Sequence, residues 1–234
     1  MIPILFEDNH CLALDKPAGL LAQGDSTGDR SVVDLAGDDL KRRYAKPGNV
    51  YVGLIHRLDR PVSGVILLAK TSKAAARLSA QFHDHTVEKV YLAVVEGKPV
   101  EDAGRWSDVL VKNSKTNTVT VSTRDDGGVQ AVVEYRVLET SGGLSLVELR
   151  PTTGRGHQLR VQLATRGLPI LGDRKYGATG TVKARDGGFR IALHALELTF
   201  SHPTRDQQIL VRSGRPADWP SAGLRCSWPT VDTR

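Results

Sequence analysis

The feature that most restricts the fold is a long series of short strand-like runs with few helical stretches between them. "IPILF", "CLALD", "GVILLAK", "KVYLAVVEG", "VQAVVEYRVLE", "LSLVELRP", "IALHALELTF" and "QILVR" follow one another along the chain. In "VVEYRVLE" and "LSLVELR" polar and apolar residues alternate, the pattern of antiparallel strands with one wet face. Helical signals are fewer. "SVVDLAGDDLKRRY" opens on Ser31 as an N-cap, and "TSKAAARLSAQFHDH" opens on Thr71 or Ser72 with Ala75, Leu78 and Phe82 at helical spacing. "GHQLRVQLATRG" sets Leu159, Val161 and Leu163 along a short amphipathic segment that ends at Gly167. Strands in series, without strict βαβ alternation, predict an α+β fold on a mixed, largely antiparallel sheet with a few flanking helices. No GxGxxG or P-loop pattern is present, so a nucleotide-cofactor fold is not expected.

The chain of 234 residues is long enough to bury a core. One catalytic-size domain spanning residues 1–234 is expected, with an irregular Pro-rich tail after residue 213. Gly/Asp-rich segments at 24–29, 125–128 and 177–188 read as surface loops. Cys11 and Cys226 lack CxxC partners, which argues against a disulfide framework or a zinc site and for a reduced, cytoplasmic compartment. His83 and His85 do not converge at their spacing, so no metal is expected. The N-terminus has no signal-peptide pattern, and no apolar run approaches a membrane span. The net charge is +6, but residues 1–40 carry −6 and the remainder +12. A surface facing a polyanion follows from that asymmetry, with nucleic acid the first candidate and a solvated basic surface the alternative.

Two stretches concentrate chemistry. In "LIHRLDRPVSGVILLAK" the carboxylate of Asp59 stands between Arg57 and Arg60, on a turn broken by Pro61 and Gly64 and anchored by an apolar run. A capping or ion-pairing role is the ordinary fate of such an aspartate. About a hundred residues on, "LRPTTGRGHQLRVQLATRGLPILGDRKYG" carries six basic residues from Arg150 to Lys175 against one acid, Asp173. Its helix projects Arg160 one turn beyond His157, where a guanidinium fork can clamp a carboxylate or phosphate. Taken alone, it is an exposed basic helix face.

Together these segments resemble the RluA family of pseudouridine synthases. The resemblance rests on "HRLDRPVSGVILLAK", on "FEDNHCLALDKPAGLLAQ", on "VEKVYLAVVEG", on "PTTGRGHQLRVQLATRGLPILGDRKYG" and on "IALHALELTFSHP", in that family's order from about residue 4 to 203. It implies the pseudouridine synthase catalytic fold with a central cleft, and isomerisation of a uridine in transfer or ribosomal RNA without cofactor or metal. By the resemblance Asp59 is the essential carboxylate and Tyr91 the residue that stacks on the target base. Arg160 is implied as the cation that keeps Asp59 ionised, since an opposite charge favours the charged form. Arg57 is implied as the side chain that reaches into the RNA beside the flipped nucleotide, and Leu193 as the apolar contact of the uracil. Arg155, Arg166, Arg174 and Lys175 are the expected phosphate contacts. His56 and His194 are expected to be hydrogen-bonded structural histidines, and Lys16 and Pro17 to shape a turn.

The chain departs from the family pattern at Gly156, Gln162 and Val62 and shows no S4-type segment before the catalytic motifs. A monomer that works from the catalytic domain is expected. Two rivals remain at this level. One is a non-catalytic RNA-binding module that keeps the fold. The other is a glycosidase-like pair formed by Asp59 with Glu148 or Glu197, both expected to be exposed on their strands.

Overall fold

In a computed structural model of the chain, residues 1–122, 127–182, 188, 190–220 and 224 are described. The expected loops at 125–128 and 177–188 therefore lie partly outside the described residues, as do Cys226 and most of the tail. In chain order the strands and helices are β1 (Ile4–Glu7), β2 (Cys11–Lys16), α1 (Val32–Arg43), β3 (Gly53–Leu54), β4 (Ser63–Ala69) and α2 (Ser72–His83). They continue with β5 (Glu88–Glu96), β6 (Ala103–Asn113), β7 (Thr118–Ser122), β8 (Val129–Ser141), β9 (Leu144–Pro151) and α3 (Gln158–Ala164). A 3-10 turn (Arg174–Tyr176), β10 (Leu193–Ser201) and β11 (Gln208–Arg212) complete the series. The fold is α+β, as the strand series predicts. No helix among the described residues is long and apolar enough to cross a membrane.

The chain divides into two compact units, the first of Met1–Glu88 with Ala195–Gly214 and the second of Lys89–His194 with Arg215–Arg234. In the first unit the strand order is β1-β2-β4-β10, with β3 against β4 and β11 against β10. Every residue of β4 is buried, which explains why "SGVILLA" reads as an unbroken apolar run and not as an alternation. Val65, Leu67 and Ala69 share a core with Ala74 and Leu78 of α2 and with Phe200 of β10. Both helices start where the sequence places them. Ser31 and Asp34 form a reciprocal capping box on α1, and the Thr71 hydroxyl accepts from the Ala74 amide at the start of α2.

In the second unit the order is β5-β9-β8-β6-β7, with antiparallel pairing throughout. β6 and β7 form a hairpin that the strand-like runs do not include. In β6, "AGRWSDVLVKN", the regular alternation is blurred because the strand is exposed or half-exposed except at Leu110. Its packing comes from other elements: Trp106 stacks on Tyr135 of β8 at 4.0 Å, and Leu110 joins Val119, Ala131 and Val161 of α3 in a small core. That core seats α3 against the hairpin and so fixes the side chains that α3 carries.

Candidate active site

In the first unit the site is built around the turn that enters β4. β2 and β4 run antiparallel in a register that sets Lys16 opposite Gly64. Gly64 has φ of +112°, and a Cβ there would fall 2.1 Å from the carbonyl oxygen of Ala195. Only glycine allows β10 so close to this turn. The Asp59 carbonyl accepts from the Val62 amide at 3.0 Å, closing the turn. Val62 is buried as an apolar plug, which accounts for a valine at that position.

Asp59 is half-buried and Arg57 exposed. Neither flanking arginine serves Asp59 as the sequence suggests. Arg60 pairs with Asp29 at 2.7 Å and donates Nε to the Gly19 carbonyl at 2.9 Å. Arg57 has no hydrogen-bond or ion-pair partner among the described residues. Within this unit the charge of Asp59 acts on Lys16, whose side chain is entirely buried. Burial pushes the Lys16 ammonium down to about 7, and the negative charge of Asp59 opposes that fall. Its Nζ donates to the carbonyls of Pro17 (3.0 Å) and Arg60 (3.2 Å), so it ties β2 to the Asp59 turn. That is a more buried role than the turn-shaping one expected from sequence. His56 is structural as expected: its Nε2 accepts from the Leu67 amide at 3.0 Å and its ring stacks on Phe82 at 4.7 Å.

In the second unit Arg160 is the centre. It lies on α3, nearly all of its side chain buried, and forms a bidentate pair with the fully buried Asp173 (Nε to Oδ2 2.7 Å, Nη2 to Oδ1 2.8 Å). The guanidinium also lies 5.0 Å from the ring centre of Tyr176. The Tyr176 hydroxyl accepts from the Val119 amide at 3.0 Å and bonds Nδ1 of His157 at 2.7 Å. Arg160 is thus a preorganised fork, held by a carboxylate on one side and an aromatic face on another. The sequence does not assign Asp173 this task. Its trace is the Gly-Asp-x-x-Tyr segment, which supplies both Asp173 and Tyr176.

The remaining second-unit candidates differ in how they are held. Tyr91 is half-buried on β5, opposite Leu149 of β9. Leu193 is buried at the start of β10. Arg155 is exposed and donates Nε to the Gln130 carbonyl at 3.1 Å, while Lys175 reaches the Asn117 carbonyl at 2.7 Å. Arg174 is exposed on the 3-10 turn. Arg166 is committed to packing: it pairs with Asp108 at 3.0 Å, donates to the Gln162 carbonyl and lies 4.5 Å over the ring of Trp106. Gln162, a departure from the family pattern, is buried and donates to Asp108 and to the Ala131 carbonyl. At Gly156 a Cβ would meet nothing within 4 Å, so the backbone there does not demand glycine. His194 is buried against Trp219, and burial pushes it down to about 3, so its ring is neutral.

The two glutamates of the glycosidase reading are not exposed as expected. Glu148 pairs with Arg150 at 3.0 Å and Arg136 at 3.5 Å, and Glu197 pairs with Arg212. Carboxylates held by arginines are poorly suited to act as general acids.

Comparison with known proteins agrees with these motifs. The family model described as RNA pseudouridylate synthase matches residues 10–165. "Ribosomal large subunit pseudouridine synthase C" of Rickettsia bellii is 37% identical over 74% of this chain and 56% of its own length. "tRNA pseudouridine synthase C" of Salmonella typhimurium is 33% identical over 97% of this chain and 91% of its own. The chain spans 56% to 70% of the length of the first curated relatives it matches. Among solved structures, "Human RNA Pseudouridylate Synthase Domain Containing 4" superposes with a TM-score of 0.76 at 26% identity, covering 92% of this chain and 89% of that one. Five motifs in order, the fold and these matches agree: the chain belongs to the RNA pseudouridylate synthase family.

Proposed function

We propose that this chain converts a uridine in transfer or ribosomal RNA to pseudouridine, both units working as one catalytic domain in a cytoplasmic monomer. The observation that carries the reading is the built environment of Arg160. A guanidinium fixed by Asp173 and Tyr176 cannot lose its proton and has little freedom to move. It is suited to hold a second carboxylate charged, and Asp59 is the one that the family motif supplies.

In the reaction the N1–C1′ bond breaks, the uracil turns, and a C5–C1′ bond forms. C5 then gives up its proton and N1 gains one, so the product is an isomer of the substrate. Asp59 acts on the ribose in its ionised form, either attacking C1′ or taking a ribose proton. Tyr91 stacks on the uracil, a contact of about 1–3 kcal/mol that does not depend on base identity. Leu193 packs on the base edge. Arg57, exposed and unpaired among the described residues, fills the gap that the flipped nucleotide leaves. Arg155, Arg174 and Lys175 supply phosphate contacts, with Arg166 a weaker contributor because Asp108 already holds it. The residues require no cofactor for this chemistry.

Pseudouridine mapping of total RNA from cells with and without the gene tests the reading. One or more sites should vanish on deletion, return with the wild-type gene and stay absent with Asp59→Asn. An unchanged map, or rescue by Asp59→Asn, would leave an RNA-binding role without catalysis.

A further inference from the structure

Lys89 is a cation that the site described so far does not use. It lies on β5 two residues before Tyr91, so both side chains stand on the same face of the strand. Its side chain is half-buried, and burial pushes the ammonium down to about 8. No carboxylate pairs with it among the described residues. Its one hydrogen bond among the described residues goes to the Thr153 carbonyl at a long 3.3 Å. A Cβ built on Gly154 would sit 3.9 Å from Nζ, so the ammonium lies directly against the 153–156 loop. Gly154, Arg155 and Gly156 in that loop are exposed.

The loop is fixed from beneath. Oε1 of the buried Gln158 accepts from the Thr153 hydroxyl at 2.8 Å and the Arg155 amide at 3.1 Å, and its Nε2 donates to the Val132 carbonyl. Thr153 is also held by the Val132 amide. The loop thus needs no brace from Lys89. Arg155 engages only Nε, leaving its two terminal amino groups without a hydrogen bond among the described residues. A half-buried ammonium without a counter-charge is costly to keep, and an anion arriving from outside would offset that cost.

We propose that Lys89 and Arg155 form a binding site for a backbone phosphate of the RNA next to the nucleotide that stacks on Tyr91. The ammonium provides a point charge at the rim of the target site, and the exposed loop leaves it approachable. This assignment rests on the isomerase reading, because that reading places the nucleotide on Tyr91.

The test measures RNA affinity by fluorescence anisotropy in the Asp59→Asn background, with labelled transcripts of transfer RNA and of large-subunit ribosomal RNA as probes. Lys89→Met keeps the aliphatic stem and should weaken binding of the preferred transcript about ten-fold. It should also reduce the slope of log K against log salt by about 0.7, the value for one phosphate contact on a single strand. Lys89→Arg should restore both. Thermal unfolding of each variant runs alongside. Unchanged affinity and slope for Lys89→Met would overturn the assignment, as would a loss of affinity that tracks a loss of folded protein and is not rescued by arginine. Tritium release from RNA labelled at uridine C5 is scored separately with otherwise wild-type protein. Release with unchanged Lys89→Met binding removes the phosphate site alone, whereas no release removes the isomerase reading and the placement of this phosphate with it.

Discussion

Two buried cations, one in each unit, solve the same problem differently. Lys16 is wholly buried in the first unit and donates, among the described residues, to the Pro17 and Arg60 carbonyls, and burial brings it to about 7. Arg160 in the second unit is buried nearly as deeply but has the full carboxylate of Asp173 and the face of Tyr176. The first cation can shed its proton near neutrality and the second cannot. Arg160 keeps a constant positive charge, while Lys16 ties a strand to a turn. The first unit holds a carboxylate on a turn that glycine alone permits, and the second holds a fork locked in advance.

The contrast is most sharply broken at Asp173. Asp173→Ala leaves a buried guanidinium without its anion and should cost about 3–5 kcal/mol in denaturant unfolding, with loss of activity. The double variant Arg160→Leu with Asp173→Leu should recover much of that stability and none of the activity. Recovery of both would make the pair a packing device.

Lys16 should show its labile proton in the pH dependence of stability. Its folded value, about 7, lies below the ordinary 10.5, so between these the unfolded chain binds the proton and the folded chain does not. Stability from this group therefore rises with pH across that window, by up to about 1.4 kcal/mol per pH unit. Measured against Lys16→Met, wild type should gain stability from pH 7 toward pH 10. A flat difference would mean that Lys16 keeps its proton when folded.

A smaller effect separates the two parts of the Arg160 cage. Tyr176→Phe keeps the ring under the guanidinium and removes the hydroxyl that joins Val119 and His157, and should cost about 1 kcal/mol by thermal unfolding. Smallest of all on stability is Arg57→Ala, expected to lie within about 0.5 kcal/mol of wild type because the side chain is exposed and unpaired among the described residues. RNA affinity should fall in the same variant. Lost stability with affinity intact would assign Arg57 to the fold.

Much of this was legible in the chain because the signals are local. Ser31 and Thr71 announce their helices by capping chemistry that acts within one turn. The apolar run of β4 announces burial on both faces. The β6–β7 hairpin was not legible, since its strands pack through Trp106, Tyr135 and Arg166, contacts that come from elsewhere in the chain. The knot of charge around Asp59 misled for a similar reason. Arg60 adjoins Asp59 in sequence, yet its partner Asp29 lies thirty-one positions away. Arg160 finds Asp173 across thirteen residues, a distance that no helical or strand period links. Lys16 reads as a turn residue because sequence carries no measure of how completely a strand end is covered. The identities of the chemical groups were readable, and their pairings were not.

The central claim is that a carboxylate from the first unit does the chemistry. Tritium released from RNA labelled at uridine C5 reports that step, using wild type and Asp59→Asn matched for fold and RNA affinity. Wild type should release tritium in proportion to the pseudouridine formed, and Asp59→Asn should bind RNA equally well and release none. Equal release from both proteins would contradict the account.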